Sequence, residues 1–289
     1  MATNHSKYIN STGTHYISNS GKDENNAYTG GKAGDQSGHE WELKAWYNRP
    51  WTVVLRFLDQ AVAETIARLG IDAALNNLIG YDQNQRNTYW TQLKAAGYDP
   101  SKINVACEED CTAGVSANVK AAGFIHGIKA LQDVSICSSR NMRSVFTKAG
   151  FVALTDSKYL TSTKYLLPGD ILLYENHHAA TNITVGSAVR NSWKPGSTPT
   201  PVQAVTFPAP ADTAAEKPAQ QEKPQGPFIT ITGSVNVRKG PGINYPVLGV
   251  AKRGYQLHYF GFTFPNGWFL VEYNGQLAAV SGLYGKIVE

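Results

Sequence analysis

Cysteine is scarce in this chain. There are three, at 107, 111 and 137. That is too few for a disulfide framework. No two of them form a C-x-x-C pair, which removes the common structural zinc patterns. No metal or other cofactor is therefore expected. No run of 18 apolar residues occurs, so neither a membrane-spanning helix nor membrane insertion is expected. Charge of one sign is also in short supply. The chain has 26 Lys and Arg against 22 Asp and Glu, a net +4. That balance suits mild attraction to an anionic polymer and is too weak to point to nucleic acid.

What is present is a globular composition, 42% hydrophobic and 17% charged over 289 residues, enough for two domains. The residues around Cys111 organise the first of them. Glu109-Asp110-Cys111-Thr112 runs into Ala113, Val115, Ala117, Val119, Ala121 and Ala122, which predicts a helix over 111–122, ended at Gly123. The thiol then sits at a helix N-terminus, where backbone N–H groups and the macrodipole favour thiolate. An isolated cysteine is more often a small buried hydrophobe. Glu108, Glu109 and Asp110 also oppose the thiolate unless they are paired or turned away.

A second motif shifts the balance. Leu167-Pro168-Gly169-Asp170-Ile171-Leu172-Leu173-Tyr174 reads as a turn and a buried strand over 171–174. Glu175-Asn176-His177-His178-Ala179-Ala180 reads as a polar turn and a strand opening on histidine. Neighbours on a strand face opposite ways, so only one histidine can meet Cys111. His178, directly before the apolar run, is the candidate base, and His177 is placed on the substrate side. Cysteine on a helix and histidine on a sheet form a usable nucleophile–base pair.

These motifs resemble the NlpC/P60 cysteine peptidases. Asp110-Cys111-Thr112 is similar to their Asp-Cys-Ser, residues 167–173 to their Leu-x-x-Gly-Asp-(apolar)₃ strand, and His178-Ala179-Ala180 to the His-Val-Gly/Ala of the next strand. The resemblance covers roughly residues 60–190. It implies an α+β, papain-like catalytic domain, with helices on an antiparallel sheet. It also implies hydrolysis of a stem-peptide amide in peptidoglycan, with a γ-D-glutamyl–diamino-acid bond as the family preference. A third polar group is implied on a following strand, for which Asn191 has the spacing. A tyrosine reaching the site is implied as well, for which Tyr81 is the candidate and Tyr98 the alternative. An N-acetylmuramoyl-L-alanine amidase using the same pair, and a wall-binding protein without activity, are the rival readings.

The flanking segments complete the outline. Residues 1–40 are rich in Gly, Asn and Ser and read as loop. Within them, Asp35 and Gln36 of Gly34-Asp35-Gln36-Ser37-Gly38 are candidates to line the cleft. Residues 40–56 carry three tryptophans and read as strands added to the catalytic domain. The Gly-Asp-Gln-Ser-Gly and Trp46-Tyr47-Asn48-Arg49-Pro50-Trp51 segments resemble ones ahead of the peptidase core in phage and clostridial wall hydrolases. A helix is expected over 59–78 from Val62, Ile66, Leu69, Ala73 and Leu78. Others are expected near 87–97 and over 138–148, with strands at 151–154 and 189–193.

Eight of the 14 prolines fall within 194–227, a composition that predicts an extended spacer. Residues 228–289 contain evenly spaced short strands and predict a small barrel. Val235 to Tyr245 and Gly267-Trp268 closely resemble the bacterial SH3-like domain, which implies peptidoglycan binding. Tyr245, Tyr259 and Trp268 are its candidate binding residues. The expected layout is a catalytic domain over 1–193, a linker over 194–227 and a wall-binding domain over 228–289. Residues 1–8 lack the apolar core of a secretory signal. The expectation is cytoplasmic synthesis, followed by action on a Gram-positive wall after holin-dependent or unconventional release, in the manner of a phage endolysin.

Overall fold

In a computed structural model of the protein, residues 3–191, 193 and 227–288 are described, apart from 244, 265, 266 and 275. The chain divides into two compact units, Met1–Gly196 and Ser197–Glu289. The proline-rich segment lies outside the described residues, save Pro227.

The first unit is mixed helix and sheet. Its elements run α1 (His5–Ile9), β1 (Tyr16–Ser20), β2 (Trp41–Ala45), β3 (Val53–Arg56), α2 (Gln60–Ala74), β4 (Ile79–Tyr81), α3 (Thr88–Ala95), β5 (Cys107–Glu109), α4 (Cys111–Ile125), α5 (Lys129–Gln132), α6 (Met142–Lys148), β6 (Val152–Leu154), α7 (Ser157–Leu160), β7 (Ile171–Tyr174) and β8 (His178–Asn182). Six strands form one sheet in the order β2-β1-β8-β7-β3-β6, with every neighbouring pair antiparallel.

Helix α2 begins where Asp59 accepts hydrogen bonds from the backbone N–H groups of Ala61 and Val62, which satisfies two of the orphan donors of a helix start. It stops at Ala74, because Asn76 bonds outward to the carbonyls of Pro100 and Ile103. Helix α4 is buried from Thr112 to Gly123, with only Lys120 half-exposed. Its small residues allow the close approach that central packing needs. A Cβ on Gly114 would stand 2.7 Å from the Trp41 ring. The helix passes through Gly123 and ends at Ile125, since α5 packs against that glycine, where a Cβ would meet backbone at 2.6 Å.

The Pro-Gly-Asp turn is built into the core. Gly169 has φ +82 and lies against the Ala63 carbonyl, where a Cβ would come within 2.1 Å. Asp170 is 1% exposed and takes both Nε and Nη2 of Arg56, at 2.7 and 2.6 Å. This buried pair ties β3 to the start of β7.

Two expectations are corrected here. Residues 1–40 are not all loop, because β1 is an interior strand of the sheet, between β2 and β8. Residues 189–191 form a turn, and among the described residues of this unit no strand follows β8. Arg190 holds the turn against the N-terminal segment by bonding to the carbonyls of Asn10 and Ser11.

The second unit is all-β over its described residues, apart from one 3₁₀ turn. It comprises β9 (Phe228–Ile231), β10 (Val235–Arg238), β11 (Val247–Ala251), β12 (Gln256–Thr263), β13 (Trp268–Tyr273), β14 (Gln276–Ser281) and β15 (Gly285–Val288), in the order β11-β10-β14-β13-β12-β9-β15. Strand β12 pairs β9 through Gln256–His258 and β13 through Tyr259 and Thr263, so the long strand serves both halves. Ile229, Val237, Leu257, Val271 and Val280 form its core.

Candidate active site

Cys111 is the first residue of α4. Asp110, the N-cap, accepts from the N–H groups of Thr112 and Ala113, each at 2.9 Å. Asp110 is in turn paired with Arg86, whose Nη2 also donates to Thr112 Oγ1 and to the Cys137 carbonyl, each at 2.8 Å. The neighbouring acids are accounted for. Glu109 is fully buried, bonded to Ser20 Oγ and to the Gly114 N–H, and burial pushes its carboxyl well above the usual range. Glu108 turns to the Gly34 N–H at 2.7 Å, and burial raises it to about 8.

Strand β8 brings the histidine. The backbone N–H of Ala179, the residue after His178, acts to lower the Cys111 thiol against the effect of burial. His178 is 6% exposed, and its ring stacks on Trp51 at 6.1 Å between centroids. Its Nε2 lies 2.9 Å from Asn19 Oδ1 on β1.

The tautomer follows from donors. Arg49 Nη1 donates to the Tyr47 oxygen at 3.2 Å, so the Tyr47 hydroxyl proton points to Asn19 Oδ1 at 3.1 Å. That carbonyl oxygen can only accept, so Nε2 of His178 carries the proton and Nδ1 is left as the basic nitrogen.

Burial sets the resting charges. It pushes the Cys111 thiol up to about 12, with Asp110 adding to the rise while the Ala179 N–H and Arg86 act against it. It holds His178 down to about 3, helped by Arg49 and Lys44 and opposed by Asp110. At neutral pH the pair rests as thiol and neutral imidazole.

Cys111 and His178 line one cleft of about 490 Å³. Asn19, Tyr47, Tyr81 and Gln83 share its wall, and Lys22, Lys44 and Arg49 supply its charge. Tyr81 is buried, receives a hydrogen bond from Gln83 Nε2 at 3.1 Å, and has its phenol pushed up by burial and then by Cys111. Tyr98, the alternative, stacks on Phe124 at 4.8 Å and is not among the lining residues. His177 is exposed at the cleft wall, stacked on Tyr174 at 4.2 Å.

Asn191 is not brought to His178. It is exposed in the turn after β8, and the side chain on the imidazole is that of Asn19. The Gly-Asp-Gln-Ser-Gly loop serves its own backbone. Asp35 accepts from the N–H groups of Ser37, Gly38 and Glu40, and Gln36 Nε2 donates to the Ala33 and Gly34 carbonyls. Neither lines the cleft. In the second unit Tyr259 belongs to the core, with its hydroxyl 2.8 Å from Thr263 Oγ1, whereas Tyr245 and Trp268 are half-buried.

A mixed α/β unit with thiol and imidazole in one cleft is thus joined in the chain to a small all-β unit. The chain belongs to the endolysin-like domain family, whose sequence model matches residues 17–189. The bacterial SH3 domain model matches residues 233–284. Together they mark a cell-wall hydrolase or wall-binding protein directed at peptidoglycan. No curated protein matches the sequence. No helix among the described residues is long and apolar enough to cross a membrane.

Proposed function

We infer that the protein is a cysteine hydrolase that cuts an amide bond in the peptidoglycan stem peptide, with Cys111 as nucleophile and His178 as base. The observation that carries this reading is that Cys111, at the start of α4, and His178, whose Nε2–H is held by Asn19, line one cleft. That arrangement is papain-like in its logic and agrees with the NlpC/P60 resemblance of residues 110–112 and 167–180.

The neutral resting pair dictates the order of proton movement. As the sulfur attacks the amide carbonyl carbon, its proton passes to Nδ1 of His178. The oxyanion is served by the Cys111 backbone N–H at the start of α4. His178 then protonates the leaving amine as the C–N bond breaks and a thioester remains. Water attacks the thioester, gives a proton to His178, and the carboxylic acid and the thiol are released. Asn19 keeps the ring in the tautomer that offers Nδ1, and Trp51 covers its face. The bacterial SH3 unit holds the enzyme on the wall and raises its effective concentration there.

The test is loss of turbidity of purified Gram-positive walls by the parent, Cys111→Ala and His178→Ala, followed by mass spectrometry of the fragments. The parent is expected to lyse and both variants to fail. Fragments cut after γ-D-glutamate name an endopeptidase, and a freed lactoyl group names an amidase. Equal lysis by all three proteins puts the nucleophile elsewhere, equal inertness leaves a wall-binding role, and either outcome defeats the proposal.

A further inference from the structure

The charge of the cleft is one-sided. Lys22, Lys44 and Arg49 line it, and among the described residues no aspartate or glutamate does. The chain as a whole is nearly balanced, with 26 basic against 22 acidic residues. Cations gathered around a concave site focus the field there and favour an anionic ligand.

The three are not equivalent. Lys44 is held by Glu42 at 2.9 Å. Lys22 rests over the Tyr28 ring at 5.3 Å. Arg49 lies over the Tyr174 ring at 5.8 Å and gives one donor to Tyr47, and no carboxylate among the described residues pairs with it. A guanidinium has five N–H donors in a fork that matches a carboxylate, so Arg49 keeps donors for a ligand. Its position is well defined. Pro50 restricts its backbone, Trp51 is stacked on His178, and Tyr47 links it through Asn19 to that same ring.

We propose that Arg49, supported by Lys22 and Lys44, is a carboxylate-recognition site, so that the preferred substrate is a peptide with a free carboxylate beside the amide that Cys111 attacks. The proposal rests on the hydrolase reading above and adds its specificity. It also gives the carboxylate a role in the chemistry. Arg49 and Lys44 oppose a positive charge on His178, whereas Asp110 favours one. A bound carboxylate offsets the two cations while the imidazole accepts the thiol proton, so the recognised group acts on kcat as well as on KM.

The experiment compares two synthetic stem peptides that differ only in carboxylate or carboxamide at the residue adjoining the scissile amide. kcat/KM is measured for parent, Arg49→Lys and Arg49→Gln, with thermal melts confirming that the variants fold. Binding of both peptides to Cys111→Ala, with and without Arg49→Gln, is measured by calorimetry. The parent is expected to prefer the carboxylate by about 10-fold or more, a difference of about 1.4 kcal/mol. Arg49→Gln is expected to fall to about 2-fold or less, Arg49→Lys to lie between, and added salt to shrink the parent's preference. Equal ratios in parent and Arg49→Gln, or a parent that prefers the carboxamide, overturn the proposal and leave the hydrolase standing. A carboxylate preference in binding that depends on Arg49, with no cleavage of either peptide by the parent, sustains the recognition site and defeats the hydrolase.

Discussion

The two units bury different things. Every buried polar or charged side chain among the described residues belongs to the first unit, from Ser18 to Thr184. The core of the second is built from aliphatic side chains and Tyr259. Burying polar groups is costly unless each finds a partner. In the first unit the partners are found in sets: Arg56 with Asp170, Arg86 with Asp110, Glu109 with Ser20, and His178 with Asn19. Two of these sets end on the cysteine helix and one on the histidine. The unit that carries the candidate chemistry accepts that cost to fix directions, whereas the second unit buries an apolar core.

The comparison breaks most sharply at the thiol. Cys111→Ala is expected to lower wall lysis by about 1,000-fold or more, while retention on walls, the role proposed for the second unit, stays at the parent level in a pelleting assay. Asn19→Ala follows. Losing the tautomer restraint is expected to cut kcat by about 100-fold or more, whereas Asn191→Ala leaves it unchanged. Equal losses in the two asparagine variants overturn the placement of Asn19.

Stability sharpens the same contrast. Arg56→Met strands the buried Asp170 carboxylate and is expected to cost the first unit about 3–5 kcal/mol. In calorimetry its melting temperature falls and that of the second unit does not move. Arg56→Met with Asp170→Leu removes both charges and is expected to recover most of the loss.

Acid gives an effect with a definite sign. His178 is neutral in the fold down to about 3 against a reference of 6.5. Between those values the unfolded chain binds a proton that the folded one does not, so stability is full above 6.5 and falls as pH drops toward 3, by about 1.4 kcal/mol per pH unit. Glu108 acts the other way. Its carboxyl is raised to about 8 from 4.5, so its contribution is full below 4.5 and is lost as pH rises through 8. Denaturant melts of His178→Gln are expected to depend less on pH between 3 and 6.5, and those of Glu108→Gln between 4.5 and 8. The smallest effect belongs to the second unit, where Ile229→Val trims one methyl from an apolar core and is expected to cost about 0.5–1.5 kcal/mol with no dependence on pH.

Much of this was legible. The buried strand at 171–174 and the histidine strand show as local apolar runs beside a Pro-Gly-Asp turn. The helix that starts at Cys111 announces itself through its Asp N-cap and its small residues, and helix α2 through Asp59 and its 3.6-residue period. The evenly spaced short strands expected over 228–289 are met by β9 to β15. What was missed has a common cause. Strand β1 reads Tyr-Ile-Ser-Asn-Ser, and its polar half looks like loop because those side chains are buried by pairing with distant partners: Ser18 with Gly70 and Trp41, and Ser20 with Glu109. The alternation rule assumes that polar means exposed, and at a polar site it does not. Asn191 was favoured by its distance along the chain from His178, whereas Asn19 lies 159 residues away. Asp35 looked like a ligand-facing acid, yet its carboxylate closes its own loop.

The sequence by itself determined the elements that depend on neighbours along the chain: helix caps, apolar periods, turn residues, and the thiol at a helix start. Only the tertiary structure decided which polar groups meet. It set Asn19 and Trp51 on His178, turned Glu108 and Glu109 away from Cys111, and gathered Lys22, Lys44 and Arg49 into one cleft. The physical reason is that a hydrogen bond or ion pair in the interior is specified by the register of non-adjacent strands and by the direction in which each strand presents its side chains. Neither is written in any local stretch of residues.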